Sequence, residues 1–295
     1  MKRFLIPVLL SLFLVQIWFT GCASVPVHPI SNDEQNESIL KYPVILVHGI
    51  AVHDRKSIID FWGRIPETLS NHGIKVYFGN TDAWGTFESN AEILKTTIDN
   101  VLSETMSEKV NLIAHSKGGL DSRFFIWKYD YGDKVASLTT ISTPHHGAEI
   151  ADLIFQQKII HTKSVRNILK IYGDLYGDIN PDLYNVNYQL TTFKMREFNE
   201  NVIMDERVYY QSVYSIMKNE FDDLIFFNSY LYIKRIRGAN DGVVSEASAT
   251  WSNNNLKLEN ISHTEIVDYK KHKISGINIP DIYLDIVRDL GKKGF

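Results

Sequence analysis

Residues 109–129 place the tightest geometric demand on this chain. Lys109-Val110-Asn111-Leu112-Ile113 reads as a short buried strand, and 119–129 reads as a helix with Leu120, Phe124 and Trp127 along one side. Between them stands Ala114-His115-Ser116-Lys117-Gly118. A strand that passes into a helix over so few residues must turn back sharply, and the positions two before and two after the apex then have almost no room for a side chain. Ala114 and Gly118 occupy those positions, and Gly119 gives further space. The apex is Ser116, so the turn presents a hydroxyl at its sharpest point.

The rest of the chain supplies the surroundings that such a turn needs. Tyr42-Pro43-Val44-Ile45-Leu46-Val47 is a continuous apolar run ending at His48-Gly49, the pattern of a strand buried on both faces. A helix is expected over about 58–70, stopped by Asn71-His72-Gly73. A strand at 75–78, a long amphipathic helix at 88–106 and a strand at 135–141 complete the alternation. Strands alternating with helices of this length make βαβ units, so an α/β fold is expected, with a mostly parallel central sheet flanked by helices. The alternation stops after Gly147, and 148–201 reads as a mostly helical, aromatic-rich insertion. Strand character returns at 208–217 and 230–237, and 280–290 reads as a closing amphipathic helix. A length of 295 residues suits one large domain over 42–295, with no internal repeat and no second domain.

Composition narrows the partners. A formal net charge of -4 without a basic stripe gives no electrostatic case for nucleic acid. One cysteine excludes an intrachain disulfide, and its placement is informative. Lys2 and Arg3 precede an almost wholly apolar run at 4–19, which leads straight into Thr20-Gly21-Cys22. These are the parts of a signal peptide, and a cysteine directly after the small residues resembles the bacterial lipobox, whose thiol is lipidated. The reading gives a lipoprotein signal peptide at 1–21 and lipidation at Cys22. A polar, flexible tether follows at 22–41. It implies an exported, membrane-anchored lipoprotein facing the cell surface or the periplasm. Phe19 stands where leucine is usual, and an ordinary cleaved signal or a retained anchor helix are the other readings of these residues.

A serine hydroxyl is a poor nucleophile until a neighbouring base takes its proton, and a carboxylate holds that base in one tautomer. Where such an elbow carries the serine, the chain order is Ser, acid, His. After Ser116, Asp241 sits in Asn240-Asp241-Gly242-Val243-Val244 immediately beyond an expected strand, and His263 follows in Ser262-His263-Thr264-Glu265. Asn-Asp-Gly is also a generic turn signal. Among ten histidines, His161 in the insertion and His272 in a lysine-rich, solvated run are rivals, and Asp268 is the next carboxylate to consider. The developing oxyanion needs donors, for which the backbone N–H groups of Lys117 and of Ile50, just after His48-Gly49, are the candidates. His48 either packs beneath this loop or acts as a second base.

Taken together, Pro43-Val44-Ile45-Leu46-Val47-His48-Gly49, Val110 to Gly119, Thr143-Pro144-His145-His146-Gly147, Leu190-Thr191-Thr192 with Phe198-Asn199, and Asn240 to Val244 resemble successive blocks of the secreted bacterial triacylglycerol lipases. The resemblance covers most of 42–268 and implies an α/β-hydrolase fold with a helical cap or lid at about 148–201. It implies that Ser116, Asp241 and His263 form a catalytic triad that cleaves acylglycerol-type lipid esters through an acyl-enzyme. A carboxylesterase for soluble esters or an acyltransferase would use the same triad. No cofactor is implied for the chemistry, and His145 and His146 are implied to be core or loop residues rather than metal ligands. Several members hold a structural calcium through an aspartate before the catalytic acid and another two residues after the histidine. Asp222 and Asp223 lie near the first position, but Glu265 stands at the second. Ile150, Leu153, Ile154, Phe155, Ile159 and Ile160 suit either a mobile helix over the site or one packed on the sheet.

Overall fold

A computed structural model describes residues 39–54, 61–167, 169 and 177–295. Its centre is a six-stranded sheet of β1 (Val44–Val47), β2 (Val76–Phe78), β3 (Val110–His115), β4 (Val135–Ile141), β5 (Tyr209–Ile216) and β6 (Asn255–Glu259). The strand order is β2-β1-β3-β4-β5-β6, and every pairing is parallel. Every residue of β1, β3 and β4 is buried, as expected when helices cover both faces, and among the polar ones Ser137 donates to Asn111 Oδ1 and Thr140 to Ser212 Oγ.

Alternate side chains divide the core in two. Val44, Leu46 and Ile113 face one layer, where Ile65 and Leu69 of α1 (Ile65–Ser70) meet Tyr283, Val287 and Leu290 of α8 (Ile279–Lys292). Ile45, Val47 and Leu112 face the other, against Leu94 and Ile98 of α2 (Phe87–Thr105) and Phe125 of α3 (Lys117–Tyr129). Helix α2 starts where the Thr86 side chain accepts the Ser89 N–H, and it ends at Met106, whose φ is 53°.

Two expectations are corrected, and one strand was not expected. Residues 61–64 form a turn, so the first helix begins only at Ile65, with Pro66 in its first turn; residues 58–60 lie outside the described set. The segment expected as a strand at 230–237 belongs to helix α7 (Phe227–Arg237). Tyr230 and Ile233, three apart, form its buried side, and Lys234, Arg235 and Arg237 fill its last turn. The strand that follows β5 in the sheet is β6, whose five residues are exposed except Leu258. An edge strand of that kind carries no apolar run to reveal it.

The insertion contributes α4 (Glu149–Phe155), α5 (Leu183–Gln189) and α6 (Thr192–Asn201). Ile150 and Leu153 of α4 pack on Ile233 of α7, whereas Ile159 is 64% exposed. Asp152 accepts hydrogen bonds from the N–H and hydroxyl of Thr192, tying α4 to α6. Residues 1–38, including Cys22, lie outside the described set, and no described helix is long and apolar enough to cross a membrane.

Candidate active site

Parallel pairing brings the carboxyl ends of the strands to one edge, and the turn at Ser116 stands in its middle. Ser116 has φ 53° and ψ -127°, conformations that a side chain resists and that surrounding packing must enforce. Its N–H donates to Ile141 O at 2.8 Å, extending the β3–β4 ladder through the apex. The demand for small residues is visible in the contacts. A Cβ on Gly118 would lie 2.3 Å from His48 O, and one on Gly49 would lie 2.7 Å from the Ser116 Cβ.

Asp241 and His263, far from Ser116 in sequence, arrive from the loops after α7 and β6, so Asp241 follows a helix and not the expected strand. Met217 N–H donates to Asn240 O, and Ile261 N–H donates to Ile216 O, so both loops are stitched to the end of β5. The Ser116 hydroxyl donates to His263 Nε2 at 3.0 Å, and His263 Nδ1–H donates to Asp241 Oδ2 at 2.7 Å. Asp241 Oδ1 accepts the N–H groups of Val243 and Val244, which fixes the carboxylate. The His263 N–H also donates to Asp241 O at 2.9 Å. All three side chains are buried, with Ser116 9% exposed at the rim. This tautomer leaves the Nε2 lone pair on the hydroxyl, the arrangement in which an imidazole can take a proton from an alcohol.

The site leans on side chains to which the sequence reading assigned no role. His115 is fully enclosed; its ring lies 4.6 Å from that of His263, and its Nε2–H donates to His263 O at 3.0 Å. Burial, and then the neighbouring His263, push its pKa well below the usual histidine value, so it stays neutral. Lys117 is buried with its Nζ 2.6 Å from Asp121 Oδ1, and Asn90 donates to the other Asp121 oxygen. Burial pushes the Asp121 pKa up, against the pull of Lys117. The lysine after the nucleophile thus forms an enclosed ion pair at the start of α3. Its own backbone N–H, at the first position of α3, has no acceptor within the helix.

The rivals lie elsewhere. His161 contacts Tyr184 Oη and Phe155 O, and His272 is exposed. Asp268 is taken by Arg64, which donates to it from its backbone N–H and twice from its guanidinium. Both ring nitrogens of His48 lie against carbonyl oxygens, those of Gly49 and Thr81. His145 stacks on Trp251 at 4.4 Å, accepts from Arg123 and donates to Thr140 Oγ1. Asp222 is occupied capping Lys218 and Asn219, while Asp223 and Glu265 converge on Ser262. A groove of about 450 Å³ between Phe87, Phe124, Trp127, Tyr188 and Phe198 includes none of Ser116, Asp241 and His263 in its lining.

Comparison with known proteins gives this geometry a context. The chain is 34% identical over 175 residues to a triacylglycerol lipase of Pseudarthrobacter phenanthrenivorans, covering 55% of this chain and 54% of that one. Thus the chain spans about half the length of that lipase. It is 28% identical to triacylglycerol lipase 2 of Saccharomyces cerevisiae over 90% of this chain and 80% of the relative. In three dimensions it is similar to Staphylococcus hyicus lipase, with a TM-score of 0.66 and 18% identity over 92% of this chain and 98% of that one. That likeness establishes the α/β-hydrolase fold. Residues 43–264 match the family described as palmitoyl protein thioesterase. With a match over most of its length, the chain belongs to the palmitoyl protein thioesterase family, within the α/β-hydrolase fold and with triacylglycerol lipases among its relatives.

Proposed function

We propose that the protein is a serine hydrolase of carboxylic esters, acting on acylglycerol-type lipid esters through an acyl-enzyme on Ser116. The observation that carries the reading is the unbroken hydrogen-bonded line from Ser116 through His263 to Asp241, seated on a strained strand-to-helix turn. As the Ser116 oxygen attacks the ester carbonyl, His263 Nε2 takes the hydroxyl proton and then gives it to the departing alcohol. Asp241 holds the Nδ1–H and stabilises the imidazolium. The N–H groups of Lys117 and Ile50 receive the oxyanion, helped by the positive end of α3. Water then repeats the sequence to release the acid, and no cofactor takes part.

Residues 148–201 act in this proposal as a cap over the acyl chain, supported by Ile50 packing with Leu190 and with Leu183 and Val186 of α5. Each methylene buried there contributes about 0.8 kcal/mol, so long acyl groups gain over short ones. Hydrolysis of p-nitrophenyl esters from butyrate to palmitate tests this directly. kcat/KM rises with chain length and climbs again above the solubility limit, and Ser116→Ala abolishes both hydrolysis and fluorophosphonate labelling. Fastest turnover of short soluble esters would make the protein a carboxylesterase with the same machinery. Labelling that survives in Ser116→Ala would remove the nucleophile assignment.

Thioesters form the second reading, favoured by the match of 43–264 to the palmitoyl protein thioesterase family. The same relay would release a thiol, and a palmitoyl thioester assayed beside the oxygen ester decides between them. We further propose export and membrane anchoring through a lipid on Cys22, from the apolar run ending in Thr20-Gly21-Cys22. Metabolic labelling with a fatty-acid analogue should mark the wild type and not Cys22→Ser.

A further inference from the structure

The loop that carries His263 is bracketed by a small buried ionic cluster. Lys270 Nζ lies 2.7 Å from Glu265 Oε1 and 3.6 Å from Asp223 Oδ2. The two carboxylate side chains are 5% and 4% exposed, and the lysine is 30% exposed. Asp223 Oδ1 caps the Ile225 N–H, and both carboxylates also reach the residue before the histidine. Glu265 Oε2 accepts the Ser262 N–H at 2.9 Å, and Asp223 Oδ2 accepts the Ser262 hydroxyl at 2.8 Å. Ser262 and Glu265 therefore clamp His263 from either side. A left-handed turn at Asp268, φ 61° and pinned by Arg64, brings the chain back so that Lys270 faces Glu265.

Two buried carboxylates at one place repel each other and need a cation. The lipase resemblance implies calcium at this place, and the residues present do not fit it. Calcium requires six to eight oxygens at about 2.3–2.6 Å, and here the space facing both carboxylates is filled by an ammonium tethered to the chain. Asp222, the third acidic candidate, caps Lys218 and Asn219 instead. Burial works against the charge on Lys270, but its hydrogen bond to Glu265 and the field of Asp223 outweigh burial and raise its pKa. The ammonium is thus permanent at neutral pH.

We propose that Lys270 is a built-in cation that positions His263, so that the His263 loop is held by a side chain and not by a divalent metal ion. The proposal rests on the reading of His263 as the base. Lys270 touches no reacting atom and acts through Glu265, Asp223 and Ser262.

The test uses the purified full chain. Thermal unfolding and turnover of the wild type are measured in EGTA and in millimolar CaCl2, and both are expected to be the same in the two buffers. Lys270→Gln lowers Tm and lowers kcat about tenfold, with KM little changed, because the acyl site is untouched while the base is misplaced. Calcium then raises the Tm of Lys270→Gln, since its two carboxylates are freed for a divalent ion. Lys270→Arg keeps the cation and restores kcat. A wild type that loses Tm or kcat in EGTA and regains it with calcium would overturn the proposal, as would Lys270→Gln matching the wild type in Tm and kcat. If Lys270→Gln does not fold, the wild-type response to EGTA decides alone. Fluorophosphonate labelling of the wild type, run in parallel, separates the two readings. Its absence removes the serine-hydrolase assignment but leaves the unfolding results to judge Lys270.

Discussion

Gly49→Ala is the sharpest probe of the proposed chemistry, because one added carbon lands on the nucleophile and nowhere else of consequence. Gly49 does not have a positive φ, so alanine adds no backbone strain and the effect is purely one of contact. The new Cβ would lie 2.7 Å from the Ser116 Cβ, 3.3 Å from Ser116 Oγ and 3.3 Å from His115 O. Ordinary contact begins near 3.4 Å, so the oxyanion loop and the serine must separate by about 0.7 Å. Overpacking of this kind costs about 1–3 kcal/mol of stability. The catalytic cost is larger in consequence. A misplacement approaching 1 Å between nucleophile and oxyanion donors lowers kcat by about 10²-fold, equivalent to about 2.7 kcal/mol. The assay is p-nitrophenyl ester hydrolysis with the active fraction titrated by a fluorophosphonate, so that unfolded protein does not count as slow enzyme. KM should change far less than kcat, because the acyl chain binds beyond the loop. A Gly49→Ala enzyme within threefold of wild-type kcat would refute the placement of the oxyanion hole at Ile50.

Two further outcomes separate the site from its surroundings. Asp241→Asn should lower kcat about 10⁴-fold with the fold intact, since the imidazole then loses its fixed tautomer. Asp268→Asn should lower kcat no more than about tenfold, through the turn that carries Lys270, while costing about 2 kcal/mol of stability, an amount discounted because the Arg64 side chain is 35% exposed. Exchange of those two phenotypes would move the acid to Asp268. Stability should also fall on acidification through His115 and His145, both held well below the usual histidine pKa, first of all by burial. The unfolded chain takes up a proton at each below about pH 6.5 that the folded chain refuses, so the stabilisation is present above that pH and is lost as pH drops. The slope is about 1.4 kcal/mol per pH unit for each histidine. Urea unfolding at pH 7.5 and 5.5 should show it, and a slope unchanged in His115→Asn and His145→Asn would show that other groups carry the acid limb.

The α/β architecture was legible in the sequence because parallel strands covered on both faces are rich in apolar and β-branched residues, and β1 is an unbroken apolar run while β3 and β4 are mostly of these types. The elbow was legible for a steric reason: Gly118 and Gly49 stand where a Cβ would strike backbone or nucleophile. β6 went unread although Leu256 and Leu258 alternate with polar residues, since two leucines in five mostly exposed residues are a weak signal, and α7 was misread because aromatic and β-branched residues also favour strands. Chain order and loop position offered Asp241 and His263 beside Asp268, His161 and His272, and the resemblance to lipase blocks favoured the first two. Tertiary packing shows why the others are excluded. Arg64, distant in sequence, occupies Asp268, whereas stitching of two loops to the end of β5 sets Asp241 and His263 in line with Ser116. Lys270 stands beside Lys271 and His272 and reads as solvated, but a left-handed turn carries it inward to two buried carboxylates. Periodicity encodes which face of an element is buried; which polar groups meet is a three-dimensional coincidence of loops, and no local pattern records it.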